Sequence, residues 1–369
     1  MNKPTYIHYG AEVSLFSGKT RAYLRYKGIP FEEHKASAKV VRELLYPNTG
    51  VRVIPVLKTP ENEFVQDTTE IIDYLEQRFT DSSVYPKNPS VKLAALLLEL
   101  FADEWLLLPA MHYRWFYKKR HLWFVLKEFG ANGVPHWPKF IQPLFGVLPA
   151  LYFGKMFGPV LGVSKRNYKA IELWYESFLS QLDMHFQKYD FLLGNSPCIA
   201  DFGFIGPLYA HLYRDPYSGE LMRSKAPNVA LWVERMNQLS PEQANLGFVD
   251  SVPSTLTPIF ERMFKEQFPV LKETIERVAS RISTHPTAKL PRFLGKFEFS
   301  IGNSKETRLI NSYAQWMLQR PVNFYQSLDT QHLQAVNGWL QSVGGQESMN
   351  IKITTQLIRK RNLLYPKKA

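Results

Sequence analysis

Val51-Arg52-Val53-Ile54-Pro55-Val56-Leu57 is the stretch whose reading decides the fold. Its β-branched and apolar residues make a strand. Proline has no N–H to give a sheet ladder, so Pro55 does not belong in a strand interior. A cis peptide at Ile54-Pro55, ending a strand in a tight turn, removes the conflict. Downstream, Glu63-Phe64-Val65 is a short strand, and Asp67 opens a helix that runs to Phe79. Ile71, Leu75 and Phe79 recur every four residues beside Ile72, which makes one buried face. Asp67 with Glu70 is a capping-box pattern. Upstream lie a strand at 5–9, a helix from Ser17 to Lys27 stopped by Gly28, and a strand at 29–34. A polar, helix-compatible segment covers 39–46. The order is therefore βαβ, an irregular helix, then ββα.

Tyr85-Pro86-Lys87-Asn88-Pro89 reads as a linker, and the composition turns helical after it. Val91, Ala94, Leu98, Phe101, Trp105 and Leu108 keep helical spacing, as do Tyr168, Ile171, Tyr175, Phe178, Leu182 and His185. A helix apolar on all sides, from Asp201 to Tyr213, is expected at the centre of the core. Another spans Val229 to Leu239. Residues 251–369 form an appendix: a proline-rich connector at 251–258 and helix signals at 259–282. A hairpin follows, signalled by Phe297, Phe299 and Ile301 before Gly302-Asn303. Helices are expected at 315–319 and 331–343, and a loose end from Arg359 to Ala369. The fold class is thus α+β, with domains at 1–85, 90–250 and 251–369.

The 369 residues exceed one ordinary core. Hydrophobic residues at 45% and charged residues at 21% fit a globular chain. The single cysteine, Cys198, allows no internal disulfide, so nothing ties the chain to an oxidising compartment. The first residues lack a secretory apolar core, and a cytoplasmic location is expected. Residues 141–163 are apolar but carry Lys155, three prolines and four glycines. A spanning helix needs about 20 unbroken apolar residues, so buried or cleft-lining helices are expected, with peripheral membrane contact ranked well below. Of the net charge of +12, most sits in the appendix, where 17 Lys or Arg face 8 Asp or Glu. A solvated basic face is the plainest reading of it. The nine histidines show no metal spacing, and no nucleotide-binding glycine pattern occurs. No metal and no nucleic-acid partner are expected.

Four segments resemble the glutathione transferase superfamily in its own order. Ser14 to Glu33 is similar to that family's first helix and second strand, and Val53 to Leu57 to its cis-proline turn. Phe64 to Glu76 resembles its glutathione-anchoring segment, and Leu192 to Phe202 its folding signature. The resemblance covers about residues 4–240 and points to a bacterial branch with a long C-terminal extension. It implies a thioredoxin-like domain followed by a helical one, with glutathione as co-substrate and a hydrophobic electrophile as second substrate. It also implies a homodimer.

The implied chemistry is attack by the glutathione thiolate. Lowering a thiol pKa by about two units takes roughly 2.7 kcal/mol of thiolate stabilisation, which a hydroxyl and a helix N-terminus can supply. Ser14 is the first candidate for that hydroxyl, against a plain N-cap role. Ser17 is second and the expected cap; Tyr9 is third. With no cysteine in the N-terminal domain, thiol exchange is disfavoured. The resemblance assigns glutathione anchoring to Phe16, Ile54, Pro55, Asp67 and Thr68, with Arg52 or Arg42 for the glycyl carboxylate. Asp67 and Thr68 are also plain capping residues. The second substrate is expected against Asp103, Trp105, Met111, His112, Tyr113, Arg114 and Trp115, each of which could equally be core. The family's folding signature caps its helix with Ser or Thr where this chain has Cys198, costing about 1 kcal/mol, with Ser196 a candidate to compensate. The competing reading is a non-catalytic binding or scaffold protein acting through the basic appendix.

Overall fold

The computed structural model describes residues 5–243 and 246–367. β1 (Tyr6–Gly10), α1 (Leu15–Tyr26) and β2 (Phe31–Lys35) form the first unit, and β1 and β2 run parallel. Two short helical turns, α2 (Ala38–Val40) and α3 (Tyr46–Thr49), flank a wider turn at 41–45. β3 (Val56–Lys58), β4 (Phe64–Gln66) and α4 (Thr68–Glu76) complete the domain. The sheet order is β2-β1-β3-β4, with β3 antiparallel to both neighbours. The Ile54-Pro55 peptide is cis. β3 is shorter than the sequence suggests because pairing begins after the proline, which has no N–H to offer. The helix before β2 starts at Leu15, because Ser14 rather than Ser17 is its cap.

The helical part runs through α5 (Pro89–Glu104), α6 (Leu107–Phe116), α7 (Lys118–Gly133), α8 (Gln142–Leu161) and α9 (Tyr168–Phe186). It ends with α10 (Ile199–Pro207), α11 (Pro216–Lys225) and α12 (Pro227–Asn237). As its all-apolar sequence implies, α10 is buried at every position. The thiol of Cys198 does not replace a Ser or Thr cap alone. Asp201 Oδ2 accepts from both the amide (3.0 Å) and the thiol (3.3 Å) of Cys198. Its Oδ1 accepts from Leu192 N and Trp232 Nε1. Ser196 takes no part in the cap; its hydroxyl accepts from Gly247 N.

Of the buried or cleft-lining helices expected at 141–163, the buried alternative does not hold. α8 is a helix, but Leu144, Leu148, Leu151 and Tyr152 are exposed, and few of its side chains are buried. Apolar composition predicts burial only when another element covers the helix, and here α7 covers one side.

The C-terminal region holds α13 (Thr257–Arg262), α14 (Phe268–Thr284), the hairpin β5 (Phe293–Ile301) and β6 (Ser304–Asn311), and α15 (Tyr313–Gln326). It closes with α16 (Thr330–Ser342), α17 (Gln346–Met349) and a last hairpin, β7 (Leu357–Lys360) with β8 (Leu363–Pro366). The end is therefore not loose up to residue 367; 368 and 369 lie outside the described residues. Its turn uses Arg361 and Asn362, both at positive φ, a geometry that basic residues do not advertise in sequence. Lys265, Lys272, Lys289, Lys296 and Lys352 are exposed, as a solvated basic face requires, but part of the region's charge is turned inward. Arg262, Arg277, Arg320 and Arg359 are engaged with the protein's own groups. One apolar core runs without a break from the N-terminal domain through the helices into α14–α16.

Candidate functional site

The register of the small sheet determines what meets at its end. Tyr9 stands opposite Val56, and Val56 opposite Gln66. The end of β1, the start of β3 and the end of β4 therefore share one edge. From that edge the chain continues into Ser14 and α1, back to Ile54-Pro55, and into Asp67 and α4. Two helix N-termini thus begin at the place where the proline turn sits, and helix N-termini favour anions.

Ser14 is half-buried, and its hydroxyl accepts from Ser17 N at 3.3 Å. Ser17 is buried one turn inside α1, where its hydroxyl accepts from Ala11 N at 3.2 Å. Tyr9 is buried with Ala36, Leu45 and Val56 and meets His34 edge-on. Phe16 is partly buried in α1 against the main core. Arg52 is exposed and lies 4.8 Å from the Tyr46 ring, and Arg42 pairs with Glu43.

Asp67 caps α4: Oδ1 accepts from Thr69 N at 2.9 Å and Glu70 N at 3.4 Å. Its φ of 90° is costly for a residue with a side chain. Thr68 is buried at the first position of α4. Glu70 does not reach back to complete a capping box; it pairs with Arg359 at 2.8 Å. Burial pushes the Glu70 carboxyl up, with Arg359 pulling against it.

Sequence reasoning missed the groups that close over this turn, because they lie more than 240 residues away. Tyr313 donates its phenol to Asp67 Oδ2. Burial, and then the charge of Asp67, push that phenol well above its ordinary range, so it remains a donor. Arg359 donates to the Gln66 carbonyl at 3.0 Å and to its side chain, lying over Trp316. Nearby, Arg308 is buried between Trp105 and Phe299, and its Nε and Nη1 have no hydrogen-bond partner among the described residues. Burial lowers its pKa to about 10.

The residues expected to meet a second substrate are held inside. Asp103 and Glu99 both accept from the buried Lys19 at 2.6 Å, and Arg320 reaches Glu99 from the other side. Burial pushes Asp103 up, whereas in Glu99 Arg320 and then Lys19 outweigh burial and hold it down. Trp105, Met111, Tyr113 and Trp115 are buried. His112 is buried and faces Glu172 at 3.0 Å. Arg114 makes a two-point pair with Asp215 at 2.8 and 2.6 Å. It also donates to the carbonyls of Ala210 (2.6 Å) and Val13 (3.1 Å). Arg114 thus fixes the loop directly before Ser14. Helical spacing identifies only Trp105 among these as facing inward; Met111 to Trp115 are buried on every side of α6, by neighbours that come later in the chain.

Among the described residues no cluster suited to a metal ion occurs. No curated protein matches the chain. Solved structures do. The β-etherase LigF from Sphingobium sp. strain SYK-6 is 18% identical, with a TM-score of 0.46 over 63% of this chain and 95% of that one. A glutathione S-transferase from Methylobacterium radiotolerans, solved with glutathione sulfonate, is 19% identical, with a TM-score of 0.39 over 68% and 95%. A GST-like protein from Pseudomonas syringae is 21% identical, with a TM-score of 0.42 over 68% and 76%. Residues 9–83 match the family model for the glutathione S-transferase N-terminal domain, and residues 175–240 that for its C-terminal domain. Those two segments therefore carry the N- and C-terminal domains of the glutathione S-transferase family, in that order, on a thioredoxin-like sheet and a helical core.

Proposed function

We propose that the protein is a glutathione-dependent transferase that uses the thiolate against a hydrophobic electrophile. The observation carrying this reading is the convergence of Ser14, the Ile54-Pro55 turn and the Asp67-Thr68 turn at one end of the sheet. In this reading, the backbone of Ile54 pairs with the cysteinyl unit. Thr68 and the N-terminus of α4 bind the γ-glutamyl carboxylate. Asp67 takes the ammonium. Its Oδ2 already accepts from Tyr313, and a carboxylate oxygen has room for a second donor. The sulfur then faces Ser14, whose hydroxyl donates to the thiolate while the start of α1 adds its dipole. The thiol proton leaves to solvent. With an aryl halide, the sulfur pair forms the C–S bond and halide departs with the pair of the broken bond. Arg114, through Val13, positions the Ser14 loop.

The test is turnover of an aryl halide with glutathione, beside calorimetric titration of glutathione. Ser14→Ala is expected to lower kcat/KM by about tenfold or more, the thiol pKa rising as the donor is lost. Unchanged turnover in that variant overturns the assignment of Ser14. No heat with millimolar glutathione overturns the whole reading.

One observation favours a second reading. Tyr313 and Arg359 already engage Asp67, Gln66 and Glu70. If these contacts exclude glutathione, the fold serves as a binding scaffold, and neither heat nor turnover will be found.

A further inference from the structure

α7 and α8 form an antiparallel helical hairpin that lies outside both segments matched by the family. The two helices approach to backbone contact. A Cβ on Gly130 would fall 2.0 Å from the Gln142 carbonyl oxygen, and one on Gly146 2.2 Å from that of Leu126. The hairpin is therefore closely packed on its inner side, and its outer side is not a packing defect. That outer side is apolar and uncovered. Leu144, Leu148, Leu151 and Tyr152 follow one another along α8, and Leu148 is 74% exposed. At the tip, residues 136–140 are all exposed, including Trp137 and Phe140, the latter at 82%. Contiguous exposed apolar surface of this kind marks an interaction site.

Charge indicates the partner. Between residues 118 and 161 there are six Lys or Arg and one carboxylate, Glu128. Lys139 stands between Trp137 and Phe140 at the tip. Lys155 continues the exposed line one turn beyond Leu151, and Lys127 lies 5.1 Å from the Trp123 ring. Aromatic rings beside long cations suit the zone where acyl chains meet headgroups. α8 has the length and mean hydropathy of a spanning helix. It carries exposed Lys155, however, and its partner α7 carries Lys119, Arg120, Lys127 and Glu128, so the pair lies along a surface rather than across a bilayer. Pairing with a second copy would bring two cationic hairpins together with a single carboxylate on each.

We propose that the α7–α8 hairpin docks the protein on an anionic lipid bilayer surface, with Trp137, Phe140 and the outer face of α8 in the interfacial zone. The experiment floats the full-length protein with extruded vesicles, either phosphatidylcholine alone or phosphatidylcholine with 30% phosphatidylglycerol. Binding to the anionic vesicles at least tenfold stronger than to the neutral ones is expected, and it should weaken as salt rises. The combined variant Phe140→Ser, Leu144→Gln, Leu148→Gln should lose that binding at least tenfold while keeping the wild-type melting temperature, because all three side chains are exposed. Lys139→Glu should reduce the anionic preference alone. Failure of the wild type to float with anionic vesicles overturns the proposal, as does equal flotation of the combined variant. A dimer in sedimentation velocity that the combined variant dissolves, without vesicle binding, assigns the face to self-association instead.

Discussion

Two regions stand outside the segments that match the family, and they treat their surfaces in opposite ways. The C-terminal region, from α13 to β8, turns three of its polar side chains inward: Arg320 on Glu99 and Asp73, Arg359 on Gln66 and Glu70, Tyr313 on Asp67. The α7–α8 hairpin turns Gly130 and Gly146 inward and leaves Trp123, Trp137, Phe140, Leu148, Lys127, Lys139 and Lys155 exposed. One region braces the fold with inward-turned polar groups, and the other joins the core by one side and leaves the opposite side bare. Composition does not separate them, since both are basic and rich in aromatics; the difference lies in what each side chain touches.

That contrast breaks most visibly at Arg320. Arg320→Ala leaves the fully buried Glu99 with one cation instead of two and deprives Asp73 of its cation, with only the Tyr85 hydroxyl still donating to it. A loss of about 3–5 kcal/mol is expected in urea unfolding. A loss below about 1 kcal/mol would mean that the C-terminal region rests on the domain rather than bracing it.

The next largest effect is a pH response at the seam between the helices and the C-terminal connector. His185 contacts the Thr255 hydroxyl at 2.7 Å, and burial lowers its pKa to about 4. A histidine with a depressed folded pKa stays neutral while the unfolded chain takes up its proton. Stability is therefore undiminished above about 6.5 and declines as pH falls from there towards 4. The loss is up to about 3 kcal/mol at the end of that window. Melting temperatures of wild type and His185→Gln between pH 4 and 7 test this, the variant being expected to show the shallower slope.

Tyr313→Phe removes one donor from Asp67 and should cost about 1–2 kcal/mol. Its sharper use is calorimetric. A glutathione Kd unchanged within about threefold means that Tyr313 and the ammonium share the carboxylate. Affinity gained by about tenfold means that Tyr313 competes for it. Smallest of all, Phe140→Ser at the hairpin tip should change stability by no more than about 0.5 kcal/mol in the absence of lipid, as befits an uncovered side chain. A larger loss would show that the tip packs within the protein after all.

The parts legible in sequence were those whose physics is local. Pro55 in a strand-like run identifies its turn, and Asp67 before Thr68 and a four-residue apolar repeat identifies α4 and its cap. Ser14 and Ser17 are both good caps, and only the path of the chain from β1 decides that Ser14 holds the end of α1 and Ser17 holds Ala11. Other features depend on distant partners. Nothing near Asp67 announces Tyr313, and nothing in the spacing of Asp103 and Arg114 shows that Lys19 and Asp215 already hold them. The apolar run at 141–163 carries the same letters whether it is buried or bare.

Cys198 has a practical consequence. It is the chain's one thiol, fully buried, and burial followed by the charge of Asp201 pushes it well above its usual range. Alkylating and disulfide-forming reagents therefore have no ready target on the folded protein. Consumption of sulfhydryl groups in a reaction mixture then measures the added tripeptide alone, without correction for the catalyst. A cysteine introduced at an exposed position would be the single site for attaching a spectroscopic label.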